Sequence, residues 1–284
     1  MKDAAQHLPP QLKISSIHIA TRGTAHDTLE AALELVSQAQ SEGADLIVLP
    51  ELFAVSYRLE EAALAGELKG ALQAATAGNR TVIVAGMLEH ADSPSAHAHS
   101  PKPVPGRPRA QQYLNQASVF AGGAEVACYT KNHLIPAFNE PTNMLPGNRL
   151  VMVEVGGLKV AVSICFDLRF PELFRSYALQ GAEVFVVPSA WPASRGYAWE
   201  LFCKSRAAEN QAYLISANHA EEPFGVASFA VDFMGMEMAR LEREGVMTVE
   251  LDPAPLRKLR QDFPVFQQRR PDLYGELVKE KVGG

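Results

Sequence analysis

The sequence predicts an α/β fold, because short apolar runs alternate along the chain with segments of helical periodicity. Three of the runs consist almost entirely of aliphatic and aromatic residues, which is typical of strands that are buried on both faces of a sheet. They lie at residues 46–49, 82–85 and 184–187. Between the runs, apolar side chains recur every three or four residues, which indicates helices that cover the sheet.

The first third of the chain contains two strand-and-helix pairs. Residues 13–20 alternate weakly and predict a strand, after which Asp27 and Glu30 predict a capping box at the start of a helix. The apolar side chains of that helix fall on one face. Pro50 ends the buried strand at 46–49. A second helix is expected near 59–77, before the strand at 82–85.

The remaining elements continue this alternation. Residues 113–120 and 125–129 flank Gly122-Gly123, which is a hairpin signal. Strands are expected at 158–164, 184–187 and 213–217, helices from Pro171 and over 197–210, and a hairpin at 228–238. The Pro-rich stretch at about 90–112 lacks an apolar face and predicts a surface insertion. Because its flanks look like neighbouring strands, we expect a single domain over 1–284, with a core at about 13–274.

Composition excludes several classes of protein. The chain has 284 residues, 47% of them apolar, and a formal net charge of −6. Its basic residues are scattered, which argues against nucleic-acid and membrane-surface partners. Residues 1–10 lack the apolar run of a signal peptide or a spanning helix, so we expect a cytoplasmic protein. The three cysteines have no CxxC spacing, which argues against a disulfide framework and a zinc site.

Cys165 is the first candidate for a chemical role. It follows the apolar run at 158–164 and precedes Pro171, which suits the first turn of a helix. A thiol at such a strand-to-helix junction lies near unpaired backbone N–H groups, which favour a thiolate and can hold an oxyanion. A small buried apolar side chain is the alternative, and the junction alone does not decide between the two.

Three charged residues follow predicted strands or lie shortly after one. Glu51 comes directly after the strand at 46–49, so partial burial should raise the pKa of its carboxyl towards that of a general base. Lys131 follows the strand at 125–129, and Glu140 lies a short loop later. Taken singly, each of the three is also compatible with an ordinary surface charge.

Together, the segments around Glu51, Lys131 and Cys165 resemble the three signature blocks of the carbon-nitrogen hydrolase (nitrilase-like) family. They occur in the family's order and with comparable separations, and the resemblance extends over about 13–274. Other matching segments are 207–211, 228–235 and 269–274. The chain departs from the family's pattern in its longer Pro-rich stretch and in Phe233-Met234, where a proline commonly follows the aspartate.

The resemblance implies a four-layer αββα sandwich with the three residues at the ends of strands. It implies that Glu51 is a general base, that Lys131 is a cation and that Cys165 is a nucleophile which forms a thioester. No cofactor is needed for this chemistry. The Phe166 backbone N–H would help hold the oxyanion, and Glu140 would form hydrogen bonds within the site.

The resemblance also implies partners for the chain. The expected ones are a small amide substrate and water, without nucleic acid or membrane. A homodimer is expected as well, because in the family the helix corresponding to 171–180 commonly packs against its two-fold mate. Tyr177 and Leu179 would help fill that contact.

The run from Cys165 to Glu172 resembles the branch that includes omega-amidases and deaminated-glutathione amidases, whose substrates carry a free carboxylate. Arg169 is placed to clamp that carboxylate, or to form an ion pair with Asp167, Glu172 or a neighbouring subunit. Trp191 is expected in the pocket wall, where it would restrict acyl length. The alternatives are a nitrilase, a general aliphatic amidase and, from another class, a catalytically silent binding protein.

Overall fold

The computed structural model describes residues 11–93 and 112–277, with backbone alone for 275–277. The predicted insertion at 90–112 therefore lies largely outside the described residues, as do residues 1–10. The strands are β1 (Leu12–His18), β2 (Leu46–Val48), β3 (Val82–His90), β4 (Tyr113–Ala121), β5 (Ala124–Thr130), β6 (Met152–Val155), β7 (Leu158–Val162), β8 (Val184–Pro188), β9 (Tyr213–Ala217), β10 (Ser228–Val231), β11 (Glu237–Leu241) and β12 (Gly245–Leu251).

The helices of the described residues are α1 (Ala25–Ser41), α2 (Ala65–Thr76), the single turn α3 (Glu140–Asn143), α4 (Pro171–Leu179), α5 (Gly196–Asn210), α6 (Pro253–Asp262) and α7 (Pro271–Leu277). Short 3-10 turns precede several of them, and the one at Cys165–Arg169 lies between β7 and α4.

The strands form two six-stranded mixed sheets, in the orders β12-β1-β2-β3-β4-β5 and β11-β10-β9-β8-β7-β6. The central strands β1, β2 and β3 run parallel to one another, as do β7, β8 and β9. The sheets face each other through β1 to β3 on one side and β8 and β9 on the other. Helices α1 and α2 pack on the first sheet and α5 packs on the second. The fold is thus the predicted four-layer αββα sandwich.

Strand β2 illustrates why the apolar runs have no polar face. Leu46 and Val48 point into the apolar layer between the two sheets, whereas Ile47 and Leu49 point into the layer beneath α1 and α2. All four residues are fully buried. A strand in the middle of a sandwich therefore needs apolar side chains at every position, and the continuous run satisfies this need.

Helix α1 begins earlier than the sequence indicates. Its N-cap is Thr24, whose hydroxyl accepts a hydrogen bond from Asp27 N at 3.1 Å and donates one to the Asp27 carboxylate at 2.7 Å. The predicted capping box of Asp27 and Glu30 was therefore wrong. The cap lies three residues earlier, at Thr24, whose hydroxyl is an equally good capping group. The segment predicted as one helix near 59–77 divides into a 3-10 turn at Leu59–Leu64 and α2.

Two strands and three helices have no counterpart in the sequence-based prediction: β6, β12, α3, α6 and α7. Both strands lie at an edge of their sheet, where partly exposed residues interrupt the apolar pattern. Such a strand gives a weak signal, because periodicity reports burial and not hydrogen bonding.

Gly86 allows β3 to lie close to the segment that follows β2. A Cβ atom at this position would lie 2.3 Å from Pro50 O and 2.4 Å from Glu51 Cα. Two backbone hydrogen bonds join the segments here. They run from Gly86 N to Pro50 O, at 3.1 Å, and from Phe53 N to Gly86 O, at 3.0 Å. A side chain here would push Glu51 out of place.

We expect Gly86→Ala to lower the free energy of unfolding by about 1–3 kcal/mol, because backbone atoms cannot yield as a flexible side chain can. The matched control is Gly70→Ala in α2, where no heavy atom lies within 4 Å of the added methyl group. That control should stabilise the protein by up to about 1 kcal/mol through helix propensity. Urea unfolding checks both values, and equal stability of the two variants would contradict the steric argument.

Candidate active site

The structure brings together the three residues that the sequence singled out. Glu51 lies just after β2, Lys131 follows β5 directly, and Cys165 begins the 3-10 turn after β7. Glu51 and Lys131 come from the first sheet and Cys165 from the second, so the site lies where the two sheets meet. Their exposed fractions are 0%, 0% and 3%.

The Lys131 ammonium is the centre of the cluster. It donates hydrogen bonds to Glu51 Oε1 at 2.7 Å and to Glu140 Oε1 at 2.8 Å. The Asn115 amide, from the middle of β4, donates to the same two oxygens at 2.7 and 3.2 Å. One cation and one amide therefore hold two buried carboxylates side by side. A buried charge needs such compensation.

Glu140 accepts hydrogen bonds from two further groups of the site. Its Oε1 accepts a hydrogen bond from the Tyr57 hydroxyl at 3.0 Å, and its Oε2 accepts one from Ile135 N at 2.7 Å. Burial, and then the neighbouring carboxylate of Glu51, raise the pKa of the Glu140 carboxyl despite the opposing charge of Lys131. Glu140 thus lies beside Glu51 and Lys131, and its role in the site stays a prediction.

The second oxygen of Glu51 points towards the other sheet. Glu51 Oε2 accepts a hydrogen bond from Ala190 N at 2.8 Å, just after β8. The Glu51 backbone oxygen lies 2.7 Å from His219 Nε2, just after β9. Both sheets thus fix the orientation of this carboxylate, and it cannot rotate away from the thiol without breaking hydrogen bonds.

Three non-glycine residues next to the cluster adopt left-handed backbone conformations. They are Leu52 with φ 50°, Asn139 with φ 55° and Cys165 itself with φ 43°. Such conformations cost about 1–3 kcal/mol each and persist only where the surrounding structure imposes them. The junction at Cys165 is therefore a strained elbow, which agrees with the sequence-based expectation of a sharp strand-to-helix turn.

The thiol does not have the ionisation state that the sequence suggested. Burial, and then the Glu51 carboxylate, raise the pKa of Cys165 well above its ordinary value, although the Lys131 ammonium opposes them. The expectation of a thiolate favoured by nearby N–H groups was therefore wrong. Desolvation at a fully enclosed site outweighs the dipole of a short turn.

The carboxyl of Glu51 departs from expectation in the opposite direction. Burial by itself raises its pKa, but the charge of Lys131 and hydrogen bonds from Lys131 and Asn115 outweigh it, so the pKa is lowered. For Lys131, burial is outweighed in turn by Glu51 and Glu140, which raise the pKa of the ammonium. At neutral pH the site therefore holds an ammonium and the Glu51 carboxylate beside a protonated thiol.

A cavity of about 170 Å³ opens onto Cys165. It is lined by Ile135, Ala137, Cys165, Phe166, Arg169, Trp191, Pro192, Ser194 and Arg195. Trp191 forms part of its wall, and its indole N–H donates to Arg195 O at 2.9 Å. The volume suits a small ligand, since pockets for drug-sized ligands are typically larger, at about 300–1,000 Å³.

Arg169 faces this cavity without a carboxylate partner among the described residues. Its guanidinium lies 5.2 Å from the ring centroids of Trp191 and Phe202 and 5.7 Å from that of Phe166. Burial and the charge of Arg195 both lower its pKa. Of the alternatives for Arg169, ion pairs with Asp167 and Glu172 are absent from the described part of the chain.

Several residues of the site gave no signal in the sequence. Asn115 lies inside a strand, Tyr57 lies in an irregular segment, and Ala190 contributes only its backbone. Asn218, after β9, accepts a hydrogen bond from Trp191 N at 2.8 Å and so fixes the cavity wall. The one feature of the sequence that could have identified any of them is the position after a buried strand, which Ala190 and Asn218 share.

Two further features of the described residues bear on function. Within 11–93 and 112–277, no three His, Cys, Asp or Glu side chains come together as a group able to hold a metal ion. In the same ranges, every helix is too short or too polar to cross a membrane.

Comparison with known proteins identifies relatives along most of the chain. The omega-amidase of Danio rerio is 30% identical over 284 residues, which covers 93% of this chain and 96% of the relative. The human deaminated glutathione amidase is 39% identical over 170 residues, 55% of this chain and 52% of that enzyme. The chain thus spans about half the length of the deaminated glutathione amidases that it matches.

Solved structures extend the likeness to the fold. A carbon-nitrogen hydrolase from Helicobacter pylori G27 superposes with a TM-score of 0.83 at 24% identity, covering 96% of this chain and 100% of that one. The family model for carbon-nitrogen hydrolases matches residues 11–261. Since the match includes nearly every element of both sheets, the chain belongs to the carbon-nitrogen hydrolase family.

Proposed function

We propose that this chain hydrolyses a small non-peptide amide to a carboxylate and ammonia, with Cys165 as the nucleophile. The observation that carries the proposal is the buried contact of Lys131 with Glu51, at 2.7 Å, beside a thiol that opens onto a small cavity. A carboxylate, a cation and a thiol are the three groups that amide cleavage through a thioester requires.

The first half-reaction would form a thioester. Glu51 accepts the thiol proton as the sulfur attacks the amide carbon, and the carbonyl oxygen becomes an oxyanion. The Lys131 ammonium and the Phe166 backbone N–H hold that oxygen, since N–H groups in the first turn of a helix lack an acceptor within it. Glu51 then gives the proton to the leaving nitrogen, the C–N bond breaks, and ammonia departs.

The second half-reaction would hydrolyse the thioester. Glu51 takes a proton from water, the hydroxide oxygen attacks the carbonyl carbon, and the same two donors hold the second oxyanion. Collapse of this intermediate breaks the C–S bond, and the proton returns from Glu51 to the sulfur. Because every step uses side chains of the cluster, the proposed reaction needs no cofactor.

For the substrate, we propose an omega-amide of a small carboxylic acid. Arg169 and Arg195 both line the cavity, and neither has a carboxylate partner within the described residues. Two guanidinium groups that share a cavity repel one another, and a substrate carboxylate would relieve this cost. The names of the two relatives, an omega-amidase and a deaminated glutathione amidase, support this choice.

Three alternatives are separated by one experiment, which measures ammonia release from a panel of short aliphatic amides, omega-amides and nitriles. A nitrilase would use the same cluster but prefer the nitriles. A general aliphatic amidase would turn over neutral amides equally well. A catalytically silent binding protein would release no ammonia from any of them.

A homodimer and a cytoplasmic location also remain proposals. The expected contact helix α4 keeps Leu179 at its surface, 45% exposed. Tyr177 is unsuited to that contact, because it is buried within the same chain, where its hydroxyl donates to Val162 O at 2.6 Å. The assignment of Tyr177 to a subunit interface was therefore wrong.

The ionisation states predict an activity that is nearly independent of pH around neutrality. The lowered pKa of Glu51 keeps its carboxylate ionised as pH falls, until that pKa, below its ordinary value of 4.5, is reached. The raised pKa of Lys131 keeps the ammonium protonated above its ordinary value of 10.5. We expect kcat/KM to vary less than about threefold between pH 6 and 9. A rise across pH 7–9 would mean that the enzyme needs a preformed thiolate.

We expect Cys165→Ala to abolish ammonia release, because the covalent step has no other nucleophile. The matched control is Cys203→Ala, which removes a thiol that is equally buried but lies in α5, away from the cavity. Both variants are assayed with the same amides after their folding is checked by circular dichroism. Substantial turnover by Cys165→Ala would refute the assignment of the nucleophile.

Carboxylate recognition predicts that the parent prefers succinamate over butyramide, a neutral amide of similar size, by at least about tenfold in kcat/KM, or 1.4 kcal/mol. Arg169→Ala should lose most of that preference while keeping its rate on butyramide. A control is Arg175→Ala in α4, since Arg175 lies outside the cavity that contains Cys165. Equal rates of the parent on the two amides would leave Arg169 as a purely structural side chain.

A further inference from the structure

Asp167 connects the two parts of the cluster that come from different sheets. Its side chain is fully buried, two residues after Cys165. Each of its oxygens accepts two hydrogen bonds, from Tyr129 OH and Ile164 N on Oδ2 and from His133 N and His133 Nδ1 on Oδ1. The four donor–acceptor distances lie between 2.7 and 3.1 Å.

The donors are arranged around the two reactive groups. Tyr129 precedes Lys131 by two residues and His133 follows it by two, so Asp167 holds the segment that carries the ammonium on both sides. Ile164 immediately precedes Cys165, and Asp167 N in turn donates to Ile164 O at 2.9 Å. The same side chain therefore closes the elbow on which the thiol stands.

The elbow needs such a restraint, because Cys165 has a positive φ that a non-glycine residue adopts only under constraint. The His133 ring adds rigidity, since it stacks on Phe170 with a centroid distance of 3.6 Å and an interplanar angle of 9°. An aspartate is suited to this place because only a carboxylate offers enough lone pairs for four donors.

We propose that Asp167 is a positioning residue that sets the Cys165 thiol against Lys131, acting through the backbone on either side of both. This inference rests on the proposed roles of Cys165 and Lys131. It goes beyond them because Asp167 does not touch the substrate cavity. Without the link, the elbow would relax, and the thiol would leave the enclosed position in which its attack is aligned.

The test is Asp167→Asn, which keeps the shape of the side chain but places an NH₂ group against two of the donors. We expect kcat to fall by between about tenfold and a hundredfold while KM changes less than threefold. Alkylation of Cys165 by iodoacetamide should become at least about threefold faster, because a less enclosed thiol ionises more readily. General loosening of the fold would also lower turnover and expose the thiol, so a control variant is needed to separate that effect from positioning of Cys165.

Tyr129→Phe is the second variant, and it removes one of the four hydrogen bonds without altering the carboxylate. It should shift turnover and alkylation in the same directions by smaller factors, and it serves if Asp167→Asn does not fold. The matched control is Glu183→Gln, since Glu183 is also a buried carboxylate that accepts a backbone N–H, from Lys159 at 3.3 Å, but away from the site.

The inference would be overturned if Tyr129→Phe and Asp167→Asn had the same kcat and the same alkylation rate as the parent. Changes of equal size in Glu183→Gln would overturn it too, because they would report general loosening of the fold. Neither result bears on the proposed function, which is tested separately by ammonia release from the parent and from Cys165→Ala. The alkylation measurement does not depend on amide turnover, so it decides the role of Asp167 even if the proposed substrates fail.

Discussion

The arrangement of this site depends on the Lys131 ammonium, buried between the carboxylates of Glu51 and Glu140. Two carboxylates that share a dry site without a cation would not both remain ionised. A lysine without them would lose its proton or leave the interior. Each of the three groups therefore stays charged only because of the contacts at 2.7 and 2.8 Å with its neighbours. Asn115 and Tyr57 donate further hydrogen bonds to the oxygens that Lys131 contacts, so the cluster is tied to β4 and to the segment after β2.

The sandwich fixes this cluster by dividing it between two sheets. Glu51 and Lys131 follow strands of the first sheet, whereas Cys165 and Ala190 follow strands of the second. The distance between the Glu51 carboxylate and the Cys165 thiol is therefore set by the apolar layer between the sheets, which is as closely packed as other protein interiors. Local strain at Leu52 and Cys165 is tolerated for the same reason, because the packing of two sheets imposes it. Changes in the core between the sheets should thus affect the site at a distance.

The sequence predicted the parts of this structure that leave a periodic or positional signal. The central strands were found because burial on both faces requires continuous apolar runs. Glu51, Lys131 and Cys165 were singled out because each follows a predicted strand and because their segments together resemble the signature blocks of the family. The edge strands β6 and β12 were missed, since partial exposure weakens their pattern. The ionisation states were predicted in the wrong direction for Glu51 and Cys165. Burial and charge oppose each other at both residues. Their balance depends on contacts between residues that lie far apart in the chain, such as Lys131 and Glu51, which are 80 positions apart.

The resting charges also bear on how such a site could be reactive and yet selective. With the pKa of the thiol raised and that of Glu51 lowered, proton transfer between them is unfavourable until negative charge develops elsewhere. In the proposed reaction, an amide oxygen held near Lys131 would supply that charge as the C–S bond forms, so the transfer would become favourable in the transition state and not before it. A thiol that keeps its proton is also a poor target for oxidants and alkylating agents, which attack the thiolate. If Cys165 acts as proposed, it is activated by its substrate, and the enclosure that raises the pKa of its thiol contributes to selectivity.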